Sequence, residues 1–290
     1  MEAIDSISNQ DIYSIFKHAK DYKTGDIRNN LFQNKIFGLL FFEPSTRTRM
    51  SFETAIHRLG GKVITYHSQY SSEKKGEDFE DTIKTMETYV DLFIIRHPNK
   101  DILSKINQCT SLPVINAGNG DGEHPTQALL DVFTILEYFP NFPKKIAFTG
   151  DIKYSRTIHS LVKLLVKLNK NIMFYFICNP LLQPTKDLLT ILPPNSYSIS
   201  PTLDENIIQN MDVLYCTRLQ KERYQDECVS NIYITPEVLK NSKSSLIIMH
   251  PLPRNDELCR KLDNDPRSKY FEQVKNGIYV RMALLRNILE

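Results

Sequence analysis

Short apolar runs alternate with helix-patterned stretches along the chain. Runs at 35–42, 62–67, 92–96, 113–116, 145–150, 172–178, 213–217 and 246–250 are β-branched or aromatic, without apolar–polar alternation. That is the pattern of strands covered on both faces. Between them, 51–59 sets Phe52, Ala55, Ile56 and Leu59 on one helical face and stops at Gly60-Gly61. The stretch 127–137 does the same with Leu129, Leu130, Phe133 and Leu136, and 157–168 with Leu161, Leu164, Leu165 and Leu168. Strands alternating with helices predict parallel sheets with helices on both faces. Eight strands make one sheet or two sheets of four. The segment 138–144 (YFPNFPK) carries two prolines and reads as a connection between halves, placing the boundary near residue 130. A last helix at 278–289 follows a Gly-containing break and is expected to pack back on the first half. The predicted fold class is α/β, with two doubly wound domains: 1–130 plus the C-terminal helix 277–290, and 131–276.

Composition narrows the function classes. The 290 residues are 41 % hydrophobic and 24 % charged, which fits a soluble protein with a proper core. A net charge of +2 argues against a nucleic-acid or membrane-surface role driven by bulk charge, so anion recognition has to come from local Arg and Lys clusters. The five cysteines form no CxxC pair, which favours reduced thiols in the cytoplasm over disulfides or a thiolate zinc site. Residues 1–11 lack the apolar core of a signal peptide, and no apolar run approaches a membrane span. No HExxH, EF-hand loop or paired-acid constellation occurs and the seven histidines are scattered, so no metal or cofactor is assigned.

The polar clusters fall at strand ends. Glu43-Pro-Ser-Thr-Arg-Thr-Arg49 follows the first predicted strand, Arg96-His-Pro98 the third, and His124-Pro-Thr-Gln127 comes shortly after the fourth. Gly150-Asp-Ile-Lys-Tyr-Ser-Arg156 follows the fifth, Arg218-Leu-Gln220 the seventh and His250-Pro-Leu-Pro-Arg254 the eighth. Ligands in open α/β sheets bind outside the carboxyl ends of the strands, so these clusters describe one shared cleft better than scattered surface. Ser45, Thr46, Arg47, Thr48 and Arg49 offer hydroxyls, guanidiniums and a helix start, which suits a phosphate dianion. A Ser/Thr helix cap with solvated arginines is the plain alternative. Arg96 ends an apolar strand and needs an anionic ligand or a structural acid. His124 at a second helix start is either structural or a donor that polarises a carbonyl. Arg156 and Arg218 suit a dicarboxylate, with Gln220 adding an amide contact. The turn at 250–253 is rigid, a cis bond before Pro253 is plausible, and its backbone carbonyls can face the cleft. Ser68 to Asp81 looks like a mobile loop, in which Lys74-Lys75 reads as a solvated charge pair.

Taken together, FFEPSTRTRMSFETAIHRLGG (41–61), KKGEDFEDTI (74–83), YVDLFIIRHP (89–98), NAGNGDGEHPTQALLD (116–131), GDIKYSRTIHSL (150–161), TRLQKER (217–223) and HPLPRNDE (250–257) resemble the catalytic chains of the aspartate carbamoyltransferase family. The likeness is colinear from about residue 7 to the C-terminus. The ornithine branch differs in its HCLP turn and in a tryptophan-containing motif; here the turn is HPLP and the chain has no Trp.

The resemblance implies that Ser45, Thr46, Arg47, Thr48 and Arg96 bind the phosphate of carbamoyl phosphate. It implies that Arg47, Thr48 and His124 donate to the carbamoyl oxygen. Gln127 with the Pro251 and Leu252 carbonyls would hold the carbamoyl NH2, and Arg156, Arg218 and Gln220 the aspartate carboxylates. Ser71 and Lys75 would enter a neighbouring subunit's site, which implies a homotrimer with shared sites and, in some members, a regulatory chain. Attack by the aspartate amine, proton transfer to the departing phosphate and closure of the two halves are implied likewise. Glu73 departs from the family's usual small residue, and Glu227 is a candidate partner for the 218–223 loop.

Overall fold

The computed structural model describes residues 1–25, 30–66, 76–220 and 231–290. Two compact units divide the chain: residues 1–129 with 276–290, and residues 130–275.

In the first unit, α1 (Asn9–Thr24) is followed by β1 (Ile36–Phe41), α2 (Thr46–Arg58), β2 (Lys62–Tyr66), α3 (Phe79–Glu87), β3 (Leu92–His97), α4 (Ile102–Cys109) and β4 (Val114–Asn119). Helix α5 (Pro125–Tyr138) starts in this unit and continues into the next. The strands pair in parallel in the order β2-β1-β3-β4. Leu40, Phe93 and Ile95 from the sheet pack with Ile83, Met86, Ile102 and Ile106 from α3 and α4 into one core cluster. Helix α1 was not among the predicted elements, although Ile12, Ile15, Phe16, Ala19 and Tyr22 are its buried stripe. Its start is capped by Ser8, whose hydroxyl accepts from the Asp11 N–H at 3.0 Å.

The second unit continues with β5 (Lys145–Thr149), α6 (Arg156–Leu168), β6 (Met173–Ile177), α7 (Lys186–Thr190), β7 (Tyr197–Ser200), α8 (Glu205–Ile208), β8 (Val213–Cys216), β9 (Ile247–Met249) and the start of α9 (Tyr270–Leu289). Its sheet runs β7-β6-β5-β8-β9, again parallel. Phe148, Phe174 and Phe176 stack across β5 and β6, with ring centroids 5.7 to 6.5 Å apart. The expectation of eight strands in one sheet or two sheets of four is corrected: among the described residues there are nine strands, arranged as four and five. The unpredicted strand β7 is a four-residue edge strand, half exposed, with too few apolar positions to stand out.

Helix α9 begins eight residues before the predicted 278, and from residue 276 onward belongs to the first unit. There Arg281, buried, donates to Ser51 Oγ at 2.9 Å, and its guanidinium lies 5.0 Å from the Phe52 ring centroid. Helix α2 also begins earlier than the predicted 51, so Thr46 to Arg49 form its first turn instead of leading into it. Their polar side chains carry no apolar period, which hid the start.

Candidate functional site

Each sheet reverses its winding once. In the first unit the chain moves from β1 outward to β2, then returns to the other side of β1 with β3. In the second it moves from β5 to β6 and β7, then returns beside β5 with β8. The loops after the two strands at such a switch point diverge and leave a crevice. Ser45 and the start of α2 follow β1, Arg156 follows β5 and Arg218 and Gln220 follow β8, whereas His124 and Gln127 come after β4 and the 250–253 turn after β9.

In the first unit, the β1 loop leads into α2. Ser45 occupies the N-cap position, but its side chain makes no capping hydrogen bond, so the plain capping alternative fails for this serine. The first turn of α2 holds no acid, and Arg47 and Arg49 stand there instead. Cations at the positive end of a helix dipole are the reverse of the favoured arrangement, and an incoming anion resolves the conflict. By contrast, α1 and α3 both carry acids in their first turns. Arg47 and Thr46 are exposed, Thr48 is buried, and Arg49 pairs with Glu53 at 3.9 Å. Across the switch point Arg96 Nε donates to Glu43 Oε1 at 2.6 Å. A structural acid thus meets this arginine from the β1 loop, and the contact fixes the guanidinium's direction.

The loops after β3 and β4 are stitched together. Asn119 Nδ2 donates to the Lys100 carbonyl at 2.6 Å. Its Oδ1 accepts from Asn116 Nδ2 at 3.0 Å and from the Glu123 N–H at 2.9 Å. Gly120 N–H donates to the His97 carbonyl at 2.8 Å. Gly120 has φ +48°, and a Cβ there would stand 2.2 Å from the Pro98 carbonyl oxygen. This stitching places Glu123 and then His124 at the start of α5, where the His124 carbonyl accepts from the Gln127 and Ala128 N–H groups. Pro125 is the first helical residue, as its lack of an N–H allows. His124 is buried and Gln127 half-buried on the same turn.

In the second unit, Gly150 follows β5 with φ +103°, and a Cβ would lie 2.1 Å from the Thr217 carbonyl oxygen beyond β8. The switch-point loops therefore touch backbone to backbone. Asp151, fully buried, accepts from the Tyr154 N–H at 2.9 Å and from the Gln220 N–H at 3.3 Å. One carboxylate so joins the loop that leads to Arg156 with the loop that carries Arg218 and Gln220. Arg156 is the first residue of α6, which is capped by Ser155 and has no acid in its first turn. Arg218 is half-buried, with Nη1 3.2 Å from the Leu219 carbonyl.

After β9, the Leu252–Pro253 bond is cis and Leu252 takes φ +55°. His250, buried, donates its backbone N–H to Gln273 Oε1 at 3.0 Å, and Gln273 Nε2 donates to Asp131 Oδ1 at 2.6 Å. Asp131 also accepts from Tyr215 Oη at 2.7 Å. Arg254 forks onto Asp263 at 2.5 and 2.7 Å. Burial pushes the Glu257 carboxyl up, but hydrogen bonds from His250 and the Asn255 N–H outweigh it and leave the group below its ordinary value. Glu43, Asn119, Asp131, Asp151, Glu257 and Gln273 were given no role from sequence; the decisive partners of Glu43, Asp131 and Gln273 are long-range, whereas Glu257 bonds His250 only seven positions away. Burial pushes the Cys178 and Cys216 thiols up to about 12, Asp151 adding to the first, so neither is a thiolate nucleophile near neutrality.

Ser71 and Lys75, together with Glu73, Lys74 and residues 221–230 including Glu227, lie outside the described residues. Among the described residues no group of three His, Cys, Asp or Glu side chains is arranged to hold a metal ion, and no helix is long and apolar enough to cross a membrane.

Comparison with known proteins matches two family models in tandem. Residues 2–137 match the aspartate/ornithine carbamoyltransferase carbamoyl-P binding domain, and residues 143–288 match the Asp/Orn binding domain. The chain belongs to the aspartate/ornithine carbamoyltransferase family. The second match runs through α9, whose last turns the fold assigns to the first unit. The aspartate carbamoyltransferase catalytic subunit of Archaeoglobus fulgidus is 43 % identical over 99 % of this chain and 98 % of its own length. That of Thermococcus onnurineus is 46 % identical over 87 % of this chain and 84 % of its own. The crystal structure of Trypanosoma cruzi aspartate transcarbamoylase in complex with carbamoyl aspartate and phosphate superposes with a TM-score of 0.92. It is 39 % identical and covers 100 % of this chain and 95 % of its own.

Proposed function

We propose that this chain transfers the carbamoyl group of carbamoyl phosphate to the amine of L-aspartate, giving N-carbamoyl-L-aspartate and phosphate early in pyrimidine biosynthesis. The observation that carries this reading is the pairing of an acid-free, arginine-bearing helix start at each switch point with full-length likeness to aspartate carbamoyltransferase catalytic subunits. Carbamoyl phosphate supplies a dianion for the first unit, and aspartate supplies two carboxylates for the second.

In this reading 1–130 with 277–290 is the carbamoyl-phosphate domain and 131–276 the aspartate domain. Ser45, Thr46, Arg47, Thr48 and Arg96 grip the phosphate. Arg47, Thr48 and His124 donate to the carbamoyl oxygen, where charge grows as the amine attacks; such donors are worth roughly 3–4 kcal/mol each in comparable oxyanion holes. Gln127 and the Pro251 and Leu252 carbonyls accept from the carbamoyl NH2, while Arg156, Arg218 and Gln220 hold aspartate. The leaving phosphate takes the amine proton, so no side-chain base is needed. Ser71 and Lys75 come from a neighbouring chain of a cytoplasmic homotrimer.

Carbamoyl phosphate offered with a panel of amines, aspartate and ornithine among them, tests the second substrate. Turnover with aspartate supports the reading; turnover with another amine alone transfers the second-unit assignments to that amine. Shared sites are tested by mixing inactive Arg47→Ala and Lys75→Ala chains: activity should return on subunit exchange, and exchange without activity contradicts sharing.

A further inference from the structure

The turn at 250–253 contributes backbone carbonyls to the proposed site, and backbone carbonyls can be aimed only by what fixes the backbone. Leu252 is a branched residue at φ +55°, a left-handed conformation that persists only where its surroundings over-determine it. The group that does so is a side chain: the Leu252 N–H donates to His250 Nδ1 at 2.8 Å. An imidazole nitrogen that accepts carries no proton. The ring proton therefore sits on Nε2, which lies 2.9 Å from Glu257 Oε1. Glu257 Oε1 accepts again from the Asn255 N–H at 3.0 Å, closing a loop of hydrogen bonds around the turn. Both side chains are almost fully excluded from solvent, at 1 % and 2 % exposure. Pro251 and Leu252 themselves remain half-exposed.

We infer that His250 and Glu257 form a positioning pair: Glu257 selects the Nε2–H tautomer of His250, and the bare Nδ1 holds Leu252 so that the Pro251 and Leu252 carbonyls accept from substrate N–H groups. The inference rests on the proposed carbamoyl transfer. His250 is not a general base in this arrangement, because both ring nitrogens are committed inside the turn. The pair resembles a carboxylate–imidazole dyad in geometry, but its output is backbone direction instead of a proton.

Two substitutions separate the ring's two edges. Asparagine reproduces the Nδ1 acceptor two residues before Leu252, in the manner of an Asx turn, and loses the Glu257 contact. Glutamine reproduces Nε2 and loses the acceptor. His250→Gln is expected to lower kcat/KM for aspartate about tenfold or more, the scale of one unmade buried hydrogen bond. Affinity for inorganic phosphate, measured by calorimetry, should stay within about twofold, since that grip belongs to the first unit. His250→Asn should recover most of the loss. Equal losses in both variants that track their Tm, or wild-type kinetics in His250→Gln, would overturn the assignment. Nitrogen-15 NMR of the wild-type imidazoles needs no substitution: a neutral, Nε2-protonated His250 supports the pair, and an Nδ1-protonated or charged ring overturns it. If the wild-type chain forms no N-carbamoyl-L-aspartate, the reading beneath the proposal falls; if it does and His250→Gln matches it, only the positioning role falls.

Discussion

The two units reach the same topological device by different means. The first unit is organised by charge and helix starts: an arginine pair on an acid-free first turn and an ion pair from Arg96 to Glu43 at its switch point, and beyond β4 the Asn119 hub that holds the Glu123 N–H. The second is organised by backbone approach: Gly150 against Thr217, with Asp151 tying Gln220 to the loop before Arg156. Thr46, Arg47, Thr48 and Gln127 are helical, whereas Arg218 and Gln220 stand on a loop. Side chains on helix turns are held more narrowly than those on loops. Arg156, at the first turn of α6, is the helical exception among the candidates of the second unit.

Substitutions can break this contrast. Arg47→Ala should produce the largest functional effect, a fall in kcat of ~10²–10³-fold by the scale of a lost oxyanion donor. Arg47 is exposed, so Tm should barely move; steady-state kinetics beside a thermal melt checks both, and near-normal turnover would remove the central assignment. Gly150→Ala should strike the second unit through its fold. A Cβ 2.1 Å from a backbone carbonyl forces the loops apart, at a cost of about 3 kcal/mol or more in denaturant unfolding. A neutral result would mean the loops are not rigidly apposed. Asn119→Ala should cost about 2 kcal/mol, because it leaves buried donors and acceptors unmade. It should also lower kcat with little change in aspartate affinity, since the loop it holds leads to His124 in the first unit. Equal damage to aspartate binding would erase the distinction between the units.

The smallest effect concerns pH. The hydrogen bond from Arg254 leads the causes that hold the Asp263 carboxyl at about 2, against an ordinary 3.8. A depressed carboxyl contributes stability that is present above 3.8 and fades as pH falls towards about 2. Asp263→Asn should therefore lower Tm slightly near neutrality, and the gap between variant and wild type should narrow as pH drops below about 4. A gap independent of pH would assign the loss to packing.

Much of this was legible from residue order. Apolar runs located β1 to β6, β8 and β9, and the polar clusters were read at strand ends because β5 and β8 are continuous buried runs with charged residues immediately beyond them. The edge strand β7 escaped because it is short and half-exposed. Helix α1 escaped although its stripe of Ile12, Ile15, Phe16, Ala19 and Tyr22 has helical spacing. What sequence could not reveal were long-range polar pairings. Glu43 and Arg96 are separated by 53 positions, and Asp131 and Gln273 by 142. No local pattern encodes such contacts; they exist only once the sheets set their neighbours.

The central claim is carbamoyl transfer to aspartate, and phosphate release from carbamoyl phosphate by the purified chain, with and without L-aspartate, tests it most directly. The account predicts that aspartate elicits phosphate and N-carbamoyl-L-aspartate in equal amounts, well above the release without an amine. Phosphate release indifferent to aspartate, or no carbamoylated product, would contradict it.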